Sequence, residues 1–138
     1  MITILCVGAM RDAFYRDAAA EYEKRLSAFT KLKITETTDD KLLACLNTKA
    51  YKIALCVEGK EMSSEELAAK LDSVSTAGYG DIIFVIGGFD GLTEEVKAAC
   101  DLRLSFSRMT FPHRLMRVIL LEQIYRAYTI NRGMSYHH

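Results

Sequence analysis

The sequence has no tryptophan and only one proline, Pro112, and its charges cancel, with 18 basic and 18 acidic residues. No apolar run approaches the ~20 residues needed to cross a bilayer. No C-x-x-C pair, internal repeat, low-complexity segment or linker occurs. These absences exclude a disordered tail protein, a collagen-like repeat and a disulfide scaffold. The N-terminus, Met1 to Val7, lacks a basic leader and is too short for a signal-peptide core. What is present is 50% hydrophobic residues in 138, the length of one ordinary domain. Such a chain buries roughly two-thirds of its unfolded surface without staples or metal. The expectation is a soluble, cytoplasmic protein with one domain spanning residues 1–138.

The four cysteines, Cys6, Cys45, Cys56 and Cys100, have no nearby histidine and no metal-site spacing. Cys6 and Cys56 fall inside apolar runs, where a thiol acts as a small core side chain.

Charge is unevenly distributed. Residues 103–138 carry six arginines (Arg103, Arg108, Arg114, Arg117, Arg126, Arg132), one acid (Glu122) and no lysine, a net +5 against −5 for residues 1–102. Arginine suits bidentate contact with phosphate. Equally, these arginines can pair with acids from the first hundred residues. Composition leaves both readings open.

Hydrophobic periodicity predicts strands at 2–7, 32–37, 53–57 and 82–86, with Glu58-Gly59 ending the third. Helical spacing covers 13–29 through Tyr15, Ala18, Ala19, Tyr22, Leu26 and Phe29, with Asp12 as N-cap and a Glu21–Arg25 pair on the wet side. A short helix is expected at 39–47. Ser63 and Glu66 form a capping box opening a helix to about Ala77. Alternating strands and helices imply an α/β fold, mostly parallel, with helices on both sheet faces.

Two segments are candidates for chemistry. Gly87-Gly88-Phe89-Asp90-Gly91 follows the most apolar strand, with Thr93 capping the next helix. Glycines there permit positive φ and close ligand approach, at the edge where open α/β sheets bind ligands. The spacing matches neither G-x-G-x-x-G nor a P-loop, and a bare tight turn explains it as well. The second segment, Leu104 to Arg117, runs from a short strand through Pro112, in the first helical turn, to His113. The helix dipole favours a neutral imidazole at that end; without a role, His113 is a surface histidine. Between 115 and 128 only four of fourteen residues are polar. So apolar a helix needs burial on two sides, one its own sheet, the other most simply a second copy of the chain. Glu122 and Arg126 can pair, which leaves Arg117 without a local partner and free for phosphate or a partner subunit. Residues 131–138 are either a frayed tail or a segment that closes over an active site.

Phe84 to Leu92, Leu104-Ser105 through Pro112-His113, the helix with Arg117, Glu122 and Tyr125-Arg126-Ala127, and the Tyr136-His137 ending together resemble one family. It is that of the bacterial ribosomal RNA large subunit methyltransferase H proteins, small members of the SPOUT class. The resemblance covers essentially the whole chain. It implies a SPOUT-type three-layer α/β/α sandwich with a C-terminal trefoil knot, and a homodimer with sites at the interface. The implied activity is methyl transfer from S-adenosylmethionine to N3 of a pseudouridine in 23S rRNA on the assembled ribosome, with no DNA or membrane partner and no metal. Leu55, Gly87, Gly88, Phe106, Ser107, Arg108, Met109, Thr110 and Phe111 match positions that hold the methyl donor. His113, Arg117, Arg126, Tyr136 and His137 match positions that face the RNA. The chain departs from the family pattern at Phe89-Asp90 (usually Pro-Glu), at Arg114 (usually proline) and at Ser135 to His138 (usually Pro-Tyr-His and a base). His113 or His137 can accept the N3 proton, or Arg117 or Arg126 can stabilise the anion. Two rivals remain: a SPOUT enzyme for another RNA nucleotide, and a non-enzymatic RNA-binding module using the arginine-rich end.

Overall fold

A computed structural model describes all 138 residues. Five strands, β1 (Ile2–Val7), β2 (Leu32–Thr37), β3 (Tyr51–Glu61), β4 (Ile82–Ile86) and β5 (Leu102–Ser105), form one parallel sheet in the order β2-β1-β4-β3-β5. The helices are α1 (Ala13–Leu26), α2 (Leu42–Cys45), α3 (Ser64–Thr76), α4 (Glu94–Ala98) and α5 (His113–Asn131).

Period-two alternation divides the strands between two cores. Ile2, Ile4 and Cys6 of β1, with Ile82, Phe84 and Ile86 of β4, pack under α1, α3 and α5. Leu5, Ile83 and Val85 point the other way, against Leu42 of α2 and Val96 of α4. Strand β4 is buried at all five residues because strands flank it and helices cover both faces. The expected α/β architecture is thus observed.

Connections β1→β2 and β3→β4 step one way across the sheet through α1 and α3 on one face. Connections β2→β3 and β4→β5 step the other way through α2 and α4 on the opposite face. This is what right-handed crossovers produce. It also makes the carboxyl end of β4, beside β1 and β3, a topological switch point, where chains diverge and leave a crevice.

The local signals place most element ends. Ser63 Oγ accepts from Glu66 N at 3.1 Å while Glu66 accepts from Ser63 N at 2.9 Å, so the capping box is complete. Thr93 Oγ1 accepts from Val96 N. Five expectations shift. Asp12 stands at the N-cap of α1 without a side-chain capping bond, and α1 ends at Leu26. Phe29 lies beyond the helix and stacks on Tyr128, with ring centroids 5.7 Å apart. The 39–47 segment is a 3-10 turn at Asp39–Lys41 followed by one turn of α2. Pro112 stands one residue ahead of α5, as its N-cap. Strand β3 does not stop at Glu58-Gly59 but runs to Glu61.

No residue of α5 from 113 to 130 is exposed. Its flanks are taken by α1 and α3 of the same chain. The apolar girth of α5 therefore has an intramolecular explanation and does not by itself require a second copy. No helix is long and apolar enough to cross a membrane.

Candidate active site

The crevice at the end of β4 is built from three segments. The first is Gly87 to Gly91, folded tightly by the Gly88–Gly91 bridge, in which Gly91 N donates to Gly88 O at 3.0 Å. Only Gly91 in this loop has a positive φ, +73°. Gly87 and Gly88 are needed for space rather than for backbone freedom, which corrects the expectation. A Cβ on Gly87 would lie 2.6 Å from Gly91 C and 2.8 Å from Gly91 O. A Cβ on Gly88 would meet Val7 Cγ1 at 3.0 Å, so a larger residue there collides with the end of β1 rather than filling the crevice.

The second segment is a bulge in β3. Leu55 and Lys60 both pair with Leu104 of β5, so Cys56 to Gly59 loop out between them. Gly59 makes this crossing possible, because a Cβ there would lie 2.8 Å from the backbone of Arg103 and Leu104. The bulge turns Cys56, Val57 and Glu58 into one wall of the crevice. Cys56 thus belongs to this wall and not to the core, whereas Cys6 is buried and its thiol is pushed up to about 11 by that burial.

The third segment is 106–112, ordered where Ser105 Oγ donates to Ser107 O at 2.9 Å and Met109 N donates to Ser107 Oγ at 3.0 Å. Together the three enclose about 650 Å³, within the usual range for a small-ligand site. Of the expected donor residues, Leu55, Gly87, Gly88, Phe106, Ser107, Met109, Thr110 and Phe111 line it. Arg108 does not: its side chain is 91% exposed, with the nearest carboxylate, Glu61, at 3.9 Å. Sequence reading missed Glu58, Asp90 and Lys97. A glycine just past an apolar strand, Gly59, was the available sign of the bulge.

The charge of the lining discriminates between ligands. Lys97 is held by Glu58 and Glu94, whose hydrogen bonds raise its pKa. Asp90 adds a further negative charge. With a neutral His113 the lining sums to about −1, suited to a cationic ligand with an apolar body and unsuited to a phosphate.

His113 closes the crevice at the start of α5, its Nε2 3.8 Å from where a Cβ on Gly8 would stand. Burial holds its pKa below the ordinary histidine value, helped by the Arg114 and Arg117 charges. The imidazole is neutral, as expected, but the dominant cause is desolvation.

Arg117 is not free. It is 4% exposed; Nη1 donates to Glu36 at 2.9 Å and Nη2 to Gly8 O at 3.1 Å, while Nε is buried without a partner. The guanidinium ties the β1–α1 turn and β2 to α5 one helical turn beyond His113. The Arg117 hydrogen bond and the backbone N–H of Met10 hold the Glu36 carboxyl below the usual range. A depressed carboxyl stabilises the fold above its unfolded pKa, and that contribution is lost as pH falls through the folded value. Glu36→Gln is therefore expected to cost about 1–2 kcal/mol at neutral pH, discounted for the partial exposure of Glu36. It should also flatten the loss of stability in acid, checked by denaturant titration between pH 7 and pH 3.

Three of the six arginines pair with acids from residues 1–102: Arg103 with Glu94, Arg108 loosely with Glu61, and Arg117 with Glu36. Arg126 pairs within the basic segment, with Glu122 at 2.9 Å.

The tail is ordered against the second half of α5. Tyr136 Oη donates to Glu122 at 3.0 Å, and Arg126 Nη1 lies 2.9 Å from His137 Nδ1. His137 Nε2 faces Glu65. Arg126 can only donate, so Nδ1 is the accepting nitrogen in this contact and Nε2 is the one turned toward Glu65. Arg126, Tyr136 and His137 form a cluster, but outside the crevice. Arg126 is thirteen residues along α5 from His113, roughly 20 Å.

An open parallel α/β sheet with a glycine-walled, anionic crevice at its switch point defines a cofactor-binding α/β protein. Residues 1–137 match the family described as "Predicted SPOUT methyltransferase", and the chain belongs to that family. It is 42% identical over 156 aligned positions to ribosomal RNA large subunit methyltransferase H of Lactiplantibacillus plantarum (strain ATCC BAA-793 / NCIMB 8826 / WCFS1), covering 99% of this chain and 98% of that one. Solved structures share the fold at low identity. A probable methylase family protein from Haemophilus influenzae Rd KW20 superposes with TM-score 0.62 at 15% identity, over 99% of this chain and 70% of that one. A methyltransferase from Legionella pneumophila in complex with S-adenosylmethionine gives TM-score 0.52 at 10% identity, over 92% and 66%.

Proposed function

We propose that this chain, as one domain over residues 1–138, transfers a methyl group from S-adenosylmethionine to N3 of a pseudouridine in 23S rRNA. In this reading it acts on the assembled ribosome in the cytoplasm, as a homodimer with the knotted C-terminal half of its family. The observation that carries the reading is the crevice: apolar in its body, net negative, and walled by a glycine loop so tightly folded that residue 87 has no room for a Cβ. The 42% identity to a ribosomal RNA methyltransferase along both chains supports the RNA target.

When bound, the donor supplies a methyl group on a cationic sulfur, with a neutral thioether as leaving group. Leu55, Phe106 and Phe111 are the walls that exclude water around it. Gly87, Gly88 and the loop amides hold its polar ends, while Glu58 and Asp90 offset its charge. The pseudouridine N3–H must lose its proton as nitrogen attacks. His113, neutral and inside the crevice, is the group that takes it. His137 has both ring nitrogens engaged, which leaves it less suited than His113 to take the proton, and Arg117 directs its terminal nitrogens at Glu36 and Gly8 rather than at an imide anion in the crevice. Arg126, Tyr136 and His137 reach RNA at this crevice only from a second copy. That is the role the homodimer would serve.

The test is transfer of labelled methyl from S-adenosylmethionine to ribosomes purified from a strain lacking the corresponding gene. One labelled pseudouridine in 23S rRNA supports the reading. Label on another nucleotide replaces the target, and no label on any RNA overturns the function.

A further inference from the structure

Phe89 is 97% exposed, the most exposed large hydrophobic residue of the chain, and it stands on the lip of the crevice. A phenylalanine fully in water, on a loop this tightly folded, is not explained by the fold. Its backbone lies inside the Gly88–Gly91 bridge, so the ring is presented from a fixed base rather than a floppy one. On the 106–112 segment, Met109 is 73% exposed and Arg108 holds a nearly free guanidinium. The mouth thus has an aromatic face, a soft apolar contact and a loosely held, exposed cation, beside a carboxylate, Asp90, that repels phosphate from the Phe89 side.

We propose that Phe89 is a nucleobase-stacking residue: an unpaired base of the RNA lies on its ring while Arg108, from the other wall, takes that nucleotide's phosphate. The inference rests on the proposed RNA substrate and deepens it by naming where the RNA is gripped. An exposed ring accepts any base face, and stacking of this kind contributes measurably per base without reading sequence. The polarity of the mouth orients the nucleotide, base toward Phe89 and Asp90, phosphate toward Arg108. A second copy of the chain is the less fitting occupant. The lip carries exposed charges of both signs around a single ring, whereas the core of a dimer interface is depleted of charge.

The test compares wild type with Phe89→Ala, Phe89→Leu and Phe89→Trp, measuring KM for ribosomes, Kd for S-adenosylmethionine and sedimentation behaviour. Phe89→Ala is expected to raise the ribosome KM about tenfold or more. Phe89→Leu should fall near Ala, because it keeps apolar area but has no π face. Phe89→Trp should restore the wild-type value, and donor Kd should stay within about twofold throughout. Arg108→Gln should weaken the salt dependence of ribosome binding by about one phosphate contact. Equal ribosome KM in all variants overturns the proposal, as does full rescue by leucine or a change in sedimentation that tracks the loss. If wild type itself labels no RNA, the function has failed before this question arises.

Discussion

Gly87→Ala is expected to weaken uptake of S-adenosylmethionine by about ten- to a hundredfold, the scale of losing one or two hydrogen bonds from the loop backbone. The added methyl would sit 2.6 Å from Gly91 C and 2.8 Å from Gly91 O, both backbone atoms that cannot rotate away. The loop must move as a body, and the Gly88–Gly91 bridge moves with it. Gly91→Ala is the informative partner. It carries the strained φ of +73°, but a Cβ there meets nothing within 4 Å. Its cost is backbone strain of about 1–2 kcal/mol, read as a lower Tm with donor binding largely kept. Equal donor affinity in Gly87→Ala and wild type would mean the loop is not a wall of the donor site.

His113→Ala is expected to lower turnover by about a hundredfold or more while leaving donor affinity intact. The neutral ring is the competent form of a base. Because burial, then Arg114 and Arg117, hold its pKa below the ordinary histidine value, the acid limb of kcat/KM falls below that value too. Activity is then lost only as pH drops through the lowered pKa, and the limb disappears in His113→Ala. A wild-type limb at or above the ordinary histidine value, or unchanged turnover in the variant, would remove His113 from the reaction. Glu36→Gln gives a cross-check, since Arg117 is one of the charges that hold the imidazole neutral.

Features that depend on neighbours in sequence were legible before the structure. Strands β1, β4 and the first half of β3 are apolar runs, β2 alternates, the start of α3 is written in Ser63 and Glu66, and α4 begins where Thr93 can cap it. The two glycines after β4 also marked the crevice correctly, though for a different physical reason: not backbone freedom but the absence of room for a Cβ. What stayed hidden depends on partners distant in sequence. Arg117 looked unpaired because its carboxylate, Glu36, lies 81 residues away. Glu58-Gly59 read as a strand end, since a glycine there fits a stop as well as a bulge, and only the distant partner β5 shows that pairing resumes at Lys60. The tail's partners, Glu122 and Glu65, lie on two different helices, so its packing could not be read from the tail. Strand order likewise follows from crossover direction and not from any one segment.

The most direct test of the donor crevice is equilibrium dialysis of the folded protein against labelled S-adenosylmethionine, with S-adenosylhomocysteine as competitor. The account predicts saturable uptake that the competitor displaces and that Gly87→Ala loses. Absence of saturable uptake by protein with a native circular dichroism spectrum would contradict it.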